Sequence, residues 1–191
     1  MTRPASLPFD LTLRADPRLA GWRSAVGVPL AYDPPETPDA RSEPEAPDAV
    51  LVLAWNVWIG RGRLDALVAR VRGEHQLPLV VLAQEAYRSD DSVPRDATAY
   101  AASDFSQRSF PELDVSALAR DLGLHLRYIP SMRNGAHRSD RGNAILSTLP
   151  LEDALGWELP FSYQRRVALA ATVRLRDGRA VRMCSAHLDP R

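Results

Sequence analysis

A chain of 191 residues has room for one domain of ordinary size, and 45% hydrophobic with 25% charged residues is a globular balance, neither disordered nor fibrous. A single cysteine, Cys184, excludes an intramolecular disulfide, and the longest apolar runs, such as Val50 to Trp55, fall far short of a membrane-spanning segment. Pro4, Pro8 and Pro17 interrupt the first residues, so no secretory leader is read there and a cytoplasmic protein is expected.

Net charge is zero but unevenly spread: residues 1–119 carry 12 Arg against 17 acidic residues, and residues 120–191 carry 12 Arg against 7. The balance argues against bulk nucleic-acid binding while leaving a local anion site open in the basic half. All 24 basic residues are arginine, a bias that coding composition explains as readily as a preference for bidentate phosphate contacts.

Taken in chain order, residues 1–48 read as an extension and connector, with six prolines from Pro29 to Pro47 interspersed with acidic residues. Ala49 to Val57 is a continuous apolar run, the signature of a strand buried on both faces. Gly60 and Gly62 mark a turn, and Leu64, Leu67, Val68 and Val71 then recur at helical spacing. Pro78 to Glu85 reads as a second buried strand, completing a parallel strand–helix–strand unit. The polar stretch from Ala86 to Pro111 is read as a surface loop, and Asp114 as the N-cap of a short helix ended by Gly123. Leu124 to Pro130 and Asn143 to Pro150 read as strands around the loop Ser131 to Gly142. Arg165 to Leu175 and Arg179 to Leu188 form a hairpin about the Asp177-Gly178 turn.

Two functional readings start from the first unit. Gly60-x-Gly62 with Glu85 downstream has the outline of a Rossmann-type dinucleotide site, but Asp65 occupies the third glycine position, where a carboxylate would repel pyrophosphate. The other reading starts from Asn56 and Glu85, which end two strands of a parallel pair and so reach one edge of the sheet. An amide beside a carboxylate there suits a hard cation such as Mg²⁺.

Five segments occur in order: WNV at 55–57, LAQEAYR at 82–88, RGNAILSTLPL at 141–151, RRVALAATV at 165–173 and CSAHLDP at 184–190. The series, spanning Ala49 to Arg191, resembles the endonuclease/exonuclease/phosphatase superfamily of metal-dependent phosphoesterases. That resemblance implies an α/β (mixed α+β) fold, a four-layer sandwich of two packed mixed sheets flanked by helices, here incomplete. It implies Glu85 as principal ligand of Mg²⁺ or Mn²⁺, Asn56 near metal and attacking water, and His187 on the scissile phosphate. The substrate class it implies is a phosphate ester; the lack of a strongly basic domain or of an exposed aromatic series slightly favours a small molecule over nucleic acid.

The family's later Asp-x-Asn segment and C-terminal Asp-His pair have no counterpart before Arg191. Residues 49–191 are therefore expected to be a partial domain with negligible phosphodiesterase activity, lacking a general base. A non-catalytic α/β binding module is the contrasting class. Arg133 and Arg141, in the loop 131–142, are candidate phosphate contacts, with a solvated loop equally compatible. Cys184 is expected to be a small buried hydrophobe, and Trp55 and Trp58 to pack at the core and sheet edge.

Overall fold

The computed structural model describes residues 7–10, 16–35, 47–96, 113–135 and 137–189. Its elements run β1 (Phe9–Asp10), α1 (Pro17–Ser24), β2 (Leu30–Tyr32), β3 (Leu51–Asn56), α2 (Leu64–Glu74) and β4 (Leu79–Arg88). They continue as α3 (Val115–Asp121), β5 (His125–Arg133), β6 (Asp140–Ser147), β7 (Glu152–Glu158), β8 (Val167–Arg174) and β9 (Ala180–Ala186). The strands form a five-stranded sheet, β2-β5-β6-β4-β3, and a four-stranded sheet, β1-β7-β8-β9. Both are mixed: β3 runs parallel to β4, and β1 to β7, while the remaining pairs are antiparallel.

Alternation along the central strands explains their continuous apolar sequences. On β4, Leu79, Val81 and Ala83 face Leu64 and Val68 of α2 and Val115, Leu118 and Ala119 of α3, while Val80 faces the second sheet. Between the sheets, Val80, Ile129 and Ile145 meet Leu151, Val167, Leu169, Ala171 and Met183. Each large side chain fully buried in either cluster contributes about 1.5–3 kcal/mol relative to exposure. α2 closes one apolar face as its spacing predicts, and α3 begins where Asp114 caps it, Oδ1 accepting from the backbone N–H of Ser116 at 2.8 Å and Ala117 at 3.0 Å.

The antiparallel pairing of β4 with β6, of β6 with β5 and of β5 with β2, together with the second sheet, rules out the doubly wound parallel sheet of a dinucleotide-binding fold. Four local expectations are corrected. β3 is an edge strand, paired among the described residues with β4 alone, so Val52 is 48% and Trp55 42% exposed; its apolar run mimics a central strand. Trp58 is exposed as well, and Cys184 points outward from β9 and is solvent-exposed. The loop between β5 and β6 is shorter than its composition suggests, because Ser131–Arg133 extend β5 and Asp140–Gly142 begin β6.

Where composition reads a connector, the residues before position 49 supply three elements. β2 pairs with β5 through Leu30–Tyr128, Ala31–Arg127 and Tyr32–Leu126, and Leu19 and Ala25 are fully buried. Elements of two or three residues are too short for periodicity to register. β7 also went unread, its sequence EDALGWE lacking a strong alternation. Most of the polar stretch before Pro111, from residue 97, lies outside the described residues.

Candidate active site

Register breaks build the site. Ala83 pairs with Ala144 and Ala86 with Gly142, so Gln84 and Glu85 together oppose the single residue Asn143. This is a β-bulge, and such insertions re-aim side chains. Glu85 takes φ +54°, a left-handed conformation unusual for a residue with a side chain. A second bulge in β5, between Pro130 and Met132, sets Ser131 outside the ladder directly across β6. Gly142 sits between the two bulges; a Cβ there would lie 1.9 Å from the Ile129 carbonyl oxygen, so only glycine permits this approach of β5 and β6.

The second sheet delivers His187 just beyond β9. Ser185 Oγ, fully buried, donates to the Ala83 carbonyl at 3.1 Å and receives Gln84 Nε2 at 3.3 Å, tying the two sheets together beside the bulge. The resulting recess is lined by Glu85, Ser131, Met132, Arg141, Gly142, Asn143, Arg166 and His187, with a volume of about 10 Å³. That is room for one water-sized group.

Electrostatics within it are asymmetric. His187 Nδ1 lies 3.7 Å from Glu85 Oε1 and 3.4 Å from Arg166 Nη1. Guanidinium only donates, so Nδ1 accepts and the ring proton resides on Nε2. Burial lowers the His187 pKa, the Arg166 and Arg141 charges lower it further, and Glu85 and Asp189 oppose them; the net shift is below the ordinary imidazole value. Burial likewise lowers the Arg141 pKa, with Glu85 opposing and Arg166 adding to the effect, and Arg141 Nη1 donates to Asn134 Oδ1 at 2.9 Å. Arg166 Nε is held by Asp189 Oδ1 at 2.7 Å.

Of the residues singled out from sequence, Glu85, His187 and Arg141 line this recess and Asn56 and Arg133 do not. Asn56 reaches the same sheet edge, paired with Gln84, but its Oδ1 accepts from the backbone N–H of Trp58 at 2.9 Å and organises the turn after β3. Arg133 is fully buried, its guanidinium donating to the carbonyls of Pro94 at 2.5 Å, Arg95 at 3.2 Å and Gly135 at 3.2 Å. As a phosphate contact it is corrected to a tie between the hairpin and the 94–95 loop, since its donors are occupied by backbone.

Two site residues escaped the sequence reading, Arg166 and Asn143. Strand alternation could have found the first: Arg165 and Arg166 point to opposite faces at the start of β8. Arg165 turns away to Glu158, 2.6 Å from its Oε1, and to the carbonyls of Pro130 and Ser131. Asn143 follows from the pairing register alone.

No family model matches this sequence, and no curated protein does. Among solved structures the chain is similar to an endonuclease/exonuclease/phosphatase from Beutenbergia cavernae, at 21% identity with a TM-score of 0.45. The match covers 72% of this chain and 37% of that one, so the present chain corresponds to little more than a third of that protein.

Proposed function

We propose that this chain forms the phosphate-binding side of a metal-dependent phosphoester hydrolase site, with a small phosphoester as substrate. The observation that carries the reading is the convergence of one carboxylate, two guanidiniums and an imidazole on a single recess: Glu85, Arg141, Arg166 and His187. Two arginines facing one recess suit a phosphate better than a neutral ligand.

The donor chemistry fits Mg²⁺ or Mn²⁺. Among the described residues no group of three His, Cys, Asp or Glu side chains clusters as a cage would require. Mg²⁺ is commonly held by one or two carboxylates, with water and substrate phosphate completing its shell. Glu85 would hold the cation, with Asn56 at the end of the adjoining strand as the amide that would stand near it. Such a cation supplies Lewis-acid stabilisation of charge on a phosphoryl oxygen.

The chain's own groups bind and orient the ester. Arg166 and Arg141 neutralise phosphate oxygens, and His187, neutral with its proton on Nε2, donates that hydrogen bond to a phosphoryl or leaving-group oxygen. Activating water is the weak point: Arg166 occupies His187 Nδ1, which leaves Glu85 as the recess's one other basic group. The 191-residue chain is therefore expected to bind phosphate and to turn over bis(p-nitrophenyl) phosphate negligibly.

The test is calorimetric titration with inorganic phosphate, with Arg166→Gln weakening binding about tenfold, the scale of one lost charge-assisted contact. Phosphate binding absent from the wild type, or unchanged in Arg166→Gln, overturns the reading. Mg²⁺-dependent turnover abolished by Glu85→Ala would overturn the inactivity of the isolated chain and leave the site assignment standing.

A further inference from the structure

Asn143 is 2% exposed at the wall of the recess, and its amide is oriented unambiguously. Nδ2 donates to the Val167 carbonyl at 2.7 Å, so a flipped amide would set two acceptors against each other. Oδ1 has no hydrogen-bond partner in the structure. A buried acceptor left without a donor is rare and destabilising, and such a group calls for an explanation. The groups around it do not supply one: Arg141 turns to Asn134 and Arg166 to Asp189 and His187.

We propose that Asn143 is a specificity-determining residue that reads an O–H donor on the ligand, so that the recess selects phosphoesters bringing a hydroxyl to its floor over those that bring none. This rests on the phosphate-binding reading above. Anionic oxygens go to Arg141 and Arg166, which only donate; the Asn143 Oδ1, a buried neutral acceptor with no partner, requires a ligand hydrogen. The enclosed space of about 10 Å³ matches one water-sized group, such as a hydroxyl. The bulge in β4 strengthens the assignment, because it places Asn143 opposite Glu85 and so beside the charged groups that would hold the phosphate.

The hydroxyl can belong to the carbon skeleton or to a protonated phosphate, and two ligands of equal length separate these sources. The 191-residue chain in cation-free buffer is titrated calorimetrically with glycerol 3-phosphate and propyl phosphate. At about pH 8 both phosphates are fully ionised, whereas at about pH 5.5 each carries a proton. A carbon hydroxyl predicts that glycerol 3-phosphate binds about tenfold tighter at the higher pH and that Asn143→Ala abolishes the preference. A phosphate hydroxyl predicts no preference at the higher pH, with both ligands gaining affinity at the lower pH in the wild type and not in Asn143→Ala.

Should Asn143→Ala fail to fold, the wild-type comparison still decides, together with the shift of the Asn143 side-chain amide resonances on adding each ligand. Equal affinities with no Asn143-dependent gain at either pH overturn the inference, the acceptor then being satisfied by water, while Arg166→Gln still weakening both ligands leaves the phosphate-binding reading intact. No binding of either ligand overturns both. A preference that survives Asn143→Ala overturns the inference alone.

Discussion

Asp189 grips Arg166 on one side of the recess: Oδ1 accepts Arg166 Nε at 2.7 Å while Oδ2 accepts the backbone N–H groups of Tyr163 at 3.0 Å and Gln164 at 3.3 Å. The far end of the same guanidinium then reaches His187 Nδ1 at 3.4 Å. One carboxylate thus fixes the approach to β8, the guanidinium and, through it, the imidazole tautomer. Replacing Asp189 by Asn is expected to weaken phosphate binding several-fold and to shift the His187 ring ¹⁵N signals away from the Nε2–H tautomer, measured by titration and NMR. Unchanged ring signals would show that Arg166 holds its place without Asp189.

The same contact carries an acid dependence. Burial raises the Asp189 pKa, but hydrogen bonds from Arg166 and the two backbone amides outweigh it, leaving the group below its ordinary value of 3.8. A carboxylate depressed in the folded state stabilises the fold fully above its unfolded pKa and loses that contribution as pH falls through the lower, folded value. Thermal melts should therefore show the difference between wild type and Asp189→Asn largest near neutrality and shrinking below about pH 4. A difference that grows on acidification would reverse the assignment.

Asp140 is buried with four donors on it: Arg88 Nε at 3.1 Å, Arg88 Nη2 at 2.5 Å, Tyr128 Oη at 2.8 Å and the Gly27 amide at 2.8 Å. Arg88 is also buried, so Asp140→Asn leaves its guanidinium with the more distant, partly exposed Asp90 at 3.7 Å as counter-charge, at a loss of about 3 kcal/mol in denaturant unfolding. The double variant Arg88→Met, Asp140→Leu should recover much of that loss, since it removes both charges. A double variant as unstable as the single one would locate the damage in Tyr128 and Gly27 instead.

Two glycines should respond in opposite directions to alanine. At Gly142 the new methyl collides with the Ile129 carbonyl and the Pro130 Cα, at 1.9 and 2.7 Å, so β5 and β6 must separate and stability should fall by more than about 3 kcal/mol. At Gly73, within α2, nothing lies within 4 Å of the added carbon, and alanine should stabilise by about 0.5–1 kcal/mol. Urea unfolding of both variants checks the pair.

Glu85 holds its left-handed backbone without the freedom of glycine. Glu85→Gly should therefore be more stable than Glu85→Ala by about 1 kcal/mol, although both lose the carboxylate. Binding of Mn²⁺, followed by paramagnetic broadening of His187, should disappear in both. Equal melting temperatures would show that the bulge carries no conformational strain at this residue.

The elements legible in the sequence are those whose apolar pattern is long. α2 follows from Leu64, Val68 and Val71, α3 from Asp114 and Gly123, and the β8–β9 hairpin from Asp177-Gly178, whose glycine has φ +80°. The edge position of β3 was not legible, because an apolar run records what a strand prefers to bury and not how many neighbours it has. Nor were β1 and β2, whose two and three residues gain their place through partners distant in sequence.

The site divides in the same way. Residue chemistry and strand order alone brought Asn56 and Glu85 to one sheet edge, because a parallel strand–helix–strand unit aligns strand ends, whereas His187 was singled out only by the resemblance of the motif series. Alternation separates Arg165 from Arg166, but which face becomes the recess was decided only by tertiary structure. Arg133, Arg141, Arg165 and Arg166 are chemically identical, yet packing of the two sheets leaves Arg141 and Arg166 lining the recess and the other two bonded to backbone and Glu158. A bulge shifts every later side chain by one face yet changes no hydrophobic pattern strongly enough to be read beforehand, so the unpartnered oxygen of Asn143 emerges only when the sheets pack.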